Sequence, residues 1–507
     1  MDLPWLTGIG ALPLLGALAV RALPASRSRA VALLSSLVTL GAVVALVVRF
    51  DTTRAGDYQF EERYSWIPSF GISYALGVDG VGLTMIVLSA VLVPLCVLAA
   101  WREVEGARAR NYLALILVLE TFMVGVFAAR DVFLFYVLFE AMLIPVYFLI
   151  GVYGGPHRRY AAVKFLIYSL LGGLVMLVAV IALYVEGPGG SGGFLTSRLT
   201  GLTFGSEVTE RLLFFGFFFA FAVKAPMWPV HTWLPDAAAE APPSVAVLLV
   251  GVLDKVGTFG MLTLCLPLFP DATKWAAPGI AVLAVVSVLY GALLAIGQSD
   301  LMRLIAYTSI SHFGFIVLGI FALTSTSTTG SVLYMVNHGL STAALFLVAG
   351  MLMARRGSQR IEDYGGVQRG TPLLAGAFLL AGLATLALPG MSTFVSEILV
   401  LVGTFPRYPA AAVAATVGVV LAALYILLTY QRMCTGPVRE HTSGWRDMSF
   451  REAVIVAPLI AALVGLGVYP KPVLDVVVPG TDRARTQVQT WDPQPEVPAP
   501  QQPGGSR

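Results

Sequence analysis

Two ammonium groups stand inside long apolar stretches, Lys224 in "FFFAFAVKAPMWPVHTWLP" and Lys255 in "VAVLLVGVLDKVGTFG". Carboxyl groups do the same at Glu120 ("LVLETFMVG"), Glu140 ("FYVLFEAMLIP"), Asp254 and Glu397 ("STFVSEILVLVG"). An ionisable group at mid-bilayer costs about 2.5–3.5 kcal/mol, whereas a central leucine returns only about 0.3–0.6 kcal/mol. Lysine is sparing throughout, at 164, 224, 255, 274 and 471 only, so two of five lie in apolar segments. Groups this expensive and this readily titrated suit reversible proton binding; the plainer reading is a structural ion pair or a side chain snorkelling to an interface. Glu120 can pair locally, and Asp254 points about 100° around the helix from Lys255, so both read as structural or auxiliary.

Histidines extend the pattern. His157 and His441 lie in basic connections and read as solvated, whereas His231, His312 and His338 lie in or beside apolar segments. Imidazole can accept a proton on one nitrogen and release it from the other. Thr308 shares the face of His312 one turn earlier and Thr342 that of His338 one turn later, so hydroxyls, histidines and waters could link Lys255 with Glu397. The alternative is a hydrogen-bonded core histidine.

What must hold these residues is a membrane-embedded helical body. The chain has 507 residues, 57% hydrophobic and 12% charged, against about 25% charged in a soluble domain. Apolar runs predict helices near 3–22, 28–50, 78–101, 110–129, 131–153, 161–186, 210–240, 242–265, 276–297, 300–323, 328–353, 372–404, 409–432 and 450–470. The fold class is therefore an all-α polytopic membrane protein of about 14 transmembrane helices. The first is not a secretory signal, since Met1 and Asp2 supply no cation. Two helices must break: Pro226 and Pro229 remove donors beside Lys224, and Pro389 with Gly390 precedes Glu397.

Each break falls late in a block of five helices, residues 110–265 and 276–432. An odd number of helices per block makes the second cross in the opposite sense, so two inverted repeats are expected, the arrangement that places ion sites at broken helices. Residues 1–109 form three N-terminal helices with an external loop, in which 51–77 can make a hairpin; 433–472 hold the last helix, and 473–507 form a disordered tail beyond about Asp482. Arg27, Arg29, Arg108, Arg158, Arg159, Arg355, Arg356, Arg439 and Arg446 follow odd-numbered helices, which places those connections in the cytoplasm and both termini outside.

Other chemistries are poorly served. Cys96, Cys265 and Cys434 lack metal-ligand spacing. "GPGGSG" at 187–192 matches a dinucleotide fingerprint in letters but joins two apolar helices, so it reads as a loop. A net charge of +3 with no basic cluster among aromatics offers nothing to nucleic acid.

The ordered stretches "VDGVGLTMIVLSAVLVPLCVLAAW", "FYVLFEAMLIPVYFLIGVYGG", "YAAVKFLIYSL", "FAVKAPMWPVHTWLPDA", "SDLMRLIAYTSISHFGF", "NHGLSTAALF" and "LPGMSTFVSE", from about Val78 to Tyr469, carry a family resemblance. The chain resembles the M-type, antiporter-like, proton-translocating subunits of bacterial NADH:quinone oxidoreductase, respiratory complex I. The resemblance implies that Glu140 and Lys224 form an ion pair, that Lys255 is the central lysine and Glu397 the terminal acid, and that His231, His312 and His338 lie along a hydrated axis. It implies a place in the bacterial cytoplasmic membrane beside L-type and N-type relatives, with NADH, FMN, iron–sulfur clusters and quinone held in partner subunits and no cofactor or metal in this chain. Glu397 where L-type and N-type relatives usually have lysine, and no room for a long lateral helix, favour the M type. Asp254 and Met302 depart from the family pattern, the latter where a lysine is common. A subunit of a multisubunit cation/proton antiporter is the first alternative, the proton-pumping arm of a membrane-bound hydrogenase the second, and a solute carrier the third.

Overall fold

A computed structural model describes residues 3–439, 442 and 444–493; His441 lies outside them. In hydrocarbon every backbone polar group must be satisfied within the chain, which dictates helices. In chain order these are α1 (Trp5–Ala22), α2 (Ser28–Arg49), α3 (Gly80–Ala100), α4 (Arg108–Ala128), α5 (Val132–Ala141), α6 (Leu143–Tyr153), α7 (Arg158–Glu186) and the short α8 (Thr196–Leu199). There follow α9 (Glu207–Lys224), α10 (Trp233–Glu240), α11 (Pro243–Leu248), α12 (Lys255–Gly260), α13 (Leu266–Leu268), α14 (Pro270–Ile296), α15 (Leu301–Phe321) and α16 (Ser325–Arg356). The last are the short α17 (Val367–Gly370), α18 (Pro372–Thr385), α19 (Ser392–Thr404), α20 (Pro409–Cys434), α21 (Phe450–Val468) and α22 (Lys471–Gln487). Among the described residues, 12 helices are long and apolar enough to cross a membrane, counting α5 with α6 and α11 through α13 as single spans.

Helix starts follow local chemistry. Asp79, Asp131 and Asp300 cap α3, α5 and α15 by accepting the N–H groups of Gly82, of Phe133 and Leu134, and of Arg303. Thr324 with Ser327 and Ser449 with Glu452 form capping boxes for α16 and α21.

Burial sorts the helices by polarity. The most apolar windows of Pro243–Leu268 and Ser325–Arg356 are buried throughout, whereas only about a third of those of α1, α2, α20 and α21 is buried. The helices that carry Lys255 and His338 therefore form the axis, and lipid-facing helices surround them.

Both expected breaks occur. Ala225–Thr232 separates α9 from α10, and Leu386–Met391 separates α18 from α19, with Ala387 and Gly390 at φ +60° and +95°. The first is an open connection made almost wholly of turn residues, not a bulge within a helix. Two further irregularities were not expected. The segment read as one helix over 131–153 is interrupted at Met142, three residues before Pro145 and two after Glu140. The span of Lys255 contains π-turns at Leu249–Leu253 and Met261–Cys265 on either side of α12.

The expected hairpin is present as β1 (Gln59–Ile67) and β2 (Ile72–Val78), antiparallel with Tyr64 opposite Tyr74. Its turn at Gly71 (φ +68°) accepts the N–H of Gly192 at 3.0 Å. The glycine-rich loop 187–192 thus packs on the hairpin tip, where Gly71 leaves no room for a side chain against Gly190.

The disordered tail expected over 473–507 needs correction. Residues 471–487 form α22 despite Pro479, and 488–493 continue ordered, while 494–507 lie outside the described residues. Tertiary contacts supply what composition hides: Val477, Gly480, Thr481 and Ala484 are buried, Arg483 bonds Asp79 at 2.6 Å, and Ser325 donates to Asp492 at 2.5–2.8 Å.

Candidate functional site

Lys255 opens α12 directly after a π-turn. That turn sends the Asp254 N–H back to the Leu249 carbonyl at 3.1 Å, and the Val250 carbonyl accepts the Lys255 ammonium at 2.6 Å. The second partner of the ammonium is His338 Nδ1, also at 2.6 Å, with the Phe313 ring 4.9 Å away. This meeting requires α16 to approach closely. Gly339 makes it possible, since a Cβ there would lie 2.9 Å from the Gly251 carbonyl and 2.8 Å from Leu88 Cδ2.

A second group of bonds starts one imidazole further. The rings of His338 and His312 are 5.4 Å apart. His312 Nδ1 lies 2.6 Å from the Tyr334 hydroxyl, which donates to Glu397 Oε2 at 2.9 Å, and Nε2 faces the Tyr425 hydroxyl at 3.4 Å. Hydrogen-bond logic assigns the tautomers. Tyr334 spends its proton on Glu397, so its oxygen accepts from His312 Nδ1–H, and His312 Nε2 accepts from Tyr425. His338 Nδ1 accepts from Lys255, which puts its proton on Nε2, an atom buried without a hydrogen-bond partner. Glu397 is held against α16 by Asn337, whose amide donates to the Ser392 carbonyl at 2.7 Å and Ser396 Oγ at 3.2 Å. Lys255, His338, His312, Tyr334 and Glu397 thus form one line of titratable or hydroxyl groups, broken only between the two imidazoles.

The other expected residues are not joined to it by direct bonds. Lys224 is the last residue of α9, where the carbonyl end of the helix favours a cation. Its ammonium is buried without a hydrogen-bond partner, 4.9 Å from the Phe139 ring centroid and 5.8 Å from that of Phe165. Glu140 Oε1 is likewise unpartnered, with its carboxyl group pressed against Gly173 of α7, where a Cβ would overlap it. The ion pair expected between Glu140 and Lys224 is therefore open in this structure. His231 lies in the connection between α9 and α10, its ring 5.1 Å from Tyr290 and its Nδ1 unpartnered. Both carboxylate oxygens of Glu120 and of Asp254 are also buried without hydrogen-bond partners, and Lys255 turns to His338 instead of to Asp254.

Threonine is not the hydroxyl beside His312. Thr308 Oγ1 donates to its own helix at Ile305 at 2.8 Å, and tyrosines take the place expected of it. Tyr334 could have been found, since it lies four residues before His338 on the same helical face. Tyr425 sits on α20 and carries no such signal.

Comparison with known proteins gives the family. The family model described as NADH:quinone oxidoreductase/Mrp antiporter matches residues 129–422, and that described as the amino terminus of NADH-ubiquinone oxidoreductase chain 4 matches 62–126. The NADH-quinone oxidoreductase subunit M of Mycobacterium tuberculosis is 48% identical, over 98% of this chain and 97% of its own length. A chain of respiratory complex I from Thermus thermophilus superposes with a TM-score of 0.87 at 32% identity, covering 95% of this chain and 99% of that one. A chain of the Mrp complex from Dietzia, at 22% identity and a TM-score of 0.83, shares the fold. With family models over most of its length and a near full-length relative, the chain belongs to the antiporter-like, proton-translocating membrane subunits of NADH:quinone oxidoreductase, in their M-type branch.

Proposed function

We propose that protons cross the membrane here by way of Glu140, Lys224, Lys255 and Glu397, with His231, His312 and His338 as relays, driven by electron transfer from NADH to quinone in partner subunits. The observation that carries this reading is the line from Lys255 through His338, His312 and Tyr334 to Glu397, with bonds of 2.6, 2.6 and 2.9 Å. A proton leaving Lys255 has an acceptor in place at His338 Nδ1, and Tyr334 can pass one from His312 to Glu397 by exchanging its own.

Lys224 is the gate in this scheme. Next to Glu140 its charged form is favoured; held apart from it in an apolar site, the neutral form gains. The open pair is the proton-releasing arrangement. Moving one charge across 100 mV costs about 2.3 kcal/mol, comparable to a change in proton affinity of one to two pKa units at about 1.36 kcal/mol each, so one buried pair suffices to gate it.

The chain acts as one part of an enzyme and performs no redox step, with FMN, iron–sulfur clusters and quinone in partner subunits and L-type and N-type relatives as neighbours. It sits in the bacterial cytoplasmic membrane with both termini outside, its blocks 110–265 and 276–432 inverted. The test is Lys255→Met in the assembled complex, reconstituted in sealed vesicles. Acid uptake or release per NADH oxidised should fall by about tenfold or more, while NADH oxidation by a soluble artificial acceptor continues. Unchanged pumping would refute the assignment.

A further inference from the structure

Asp236 lies in the first turn of α10, five residues beyond His231. Its two carboxylate oxygens are divided between two other helices. Oδ2 takes Lys164 of α7 and Oδ1 takes Arg303 of α15, each at 2.7 Å. With the side chains of Asp236, Lys164 and Arg303 exposed by 15%, 21% and 37%, these are charge-assisted bonds in a partly buried site, and the amino end of α10 adds a favourable dipole.

What the carboxylate holds is the far side of the break. The connection Ala225–Thr232 includes Pro226 and Pro229, which offer no donors, so its course is fixed by bonds other than the regular helix ladder. The Met227 N–H reaches the Ala222 carbonyl at 3.0 Å, the Trp228 N–H reaches Ser287 Oγ at 2.9 Å, and Trp233 Nε1 reaches the Val223 carbonyl at 2.9 Å. Thr232 meets the hydroxyl of Tyr168, one turn along α7 from Lys164, at 2.7 Å. The Asp236 bonds are the ionic part of this set, and they join α7 of block 110–265 to α15 of block 276–432.

We infer that Asp236 is a positioning residue for proton transfer: by clamping α10 between α7 and α15 it holds in place the connection that follows Lys224 and carries His231. This rests on the relay described above and assigns it a part with no proton of its own to carry. A shift of one block relative to the other would reach His231 through this carboxylate.

The experiment compares Asp236→Asn, Asp236→Glu, Arg303→Gln and Lys224→Met in the full complex in sealed vesicles. Proton pumping is divided by NADH oxidation with a soluble acceptor, which counts assembled complex. Asp236→Asn is expected to lose about tenfold or more of this ratio, the scale of loss when a reacting group is misplaced by an ångström. Asp236→Glu should recover most of it, and Arg303→Gln, which leaves Lys164 in place, should fall between. Wild-type pumping in assembled Asp236→Asn overturns the clamp; if Lys224→Met is then inactive the relay stands, and if it also pumps normally the relay falls too. Should Asp236→Asn fail to assemble, Arg303→Gln decides: a partial loss supports the clamp and an unchanged ratio overturns it.

Discussion

At the scale of single residues, the polar groups of this protein divide into those with partners and those without. Lys224, Glu140, Glu120 and Asp254 each have a buried ionisable group with an atom lacking a hydrogen bond, whereas Lys255 and Glu397 are bonded through His338 and Tyr334. Leaving a buried donor or acceptor unmet costs about 1–3 kcal/mol. Tyr334 prevents that cost at two neighbours, so Tyr334→Phe should leave Glu397 and His312 each short of a bond. The variant is expected to assemble and to pump about tenfold less or worse, since positioned proton transfer contributes on the order of 100-fold. Tyr425→Phe, removing a 3.4 Å contact, should have little effect. Equal pumping in the two variants, measured per assembled complex, would remove Tyr334 from the line.

Elements decide whether these residues meet. An α-helix without the π-turn at Leu249–Leu253 would rotate Lys255 by a residue's worth relative to Val250 and carry its ammonium off the α16 face. The approach of α16 depends on small residues on both helices, Gly251 and Gly339. Gly339→Ala places a methyl group 2.9 Å from the Gly251 carbonyl, a backbone atom that cannot swing aside. The overpacking should cost about 1–3 kcal/mol and move His338 off Lys255. The expected outcome is a complex that assembles with reduced pumping, whereas alanine at Gly279, which has nothing within 4 Å, should behave as wild type. A Gly339→Ala protein with normal pumping would mean that the contact tolerates separation.

At the scale of the whole molecule, the C-terminal segment closes one end of the axis. α22 lies against α3 and α16, with Arg483 bonded to Asp79 and stacked 4.0 Å over Tyr58, and with Thr481 facing Thr329 at 3.1 Å. Asp79 is 4% exposed, so removing its partner strands a buried charge. Arg483→Ala should destabilise this segment by roughly 2–4 kcal/mol and speed its release by limited proteolysis. Lys471→Ala breaks an ion pair exposed by 62% and 54% on its two sides, and should change little. Comparable proteolysis of the two variants would show that α22 is not held by Asp79.

The class of this protein and the residues of its candidate site were legible in the letters. Apolar runs of about 20 residues, prolines inside two of them and charges too costly to bury without purpose are local properties, and each leaves its mark in the letters. The breaks after Lys224 and before Glu397, the hairpin over 51–77 and the inward histidines were legible for that reason. Partnership was not. Lys255 lies next to Asp254 in sequence yet bonds His338, 83 residues away; Glu397 is met by Tyr334, 63 residues away; and Asp236 joins Lys164 and Arg303 across 72 and 67 residues. The order in α22 was hidden likewise, because its composition is that of a polar tail and its stability comes from helices more than 150 residues away. Such pairings depend on helix rotation and spacing, set by π-turns, glycine contacts and the packing of helices distant in the chain, and only the tertiary structure fixes those.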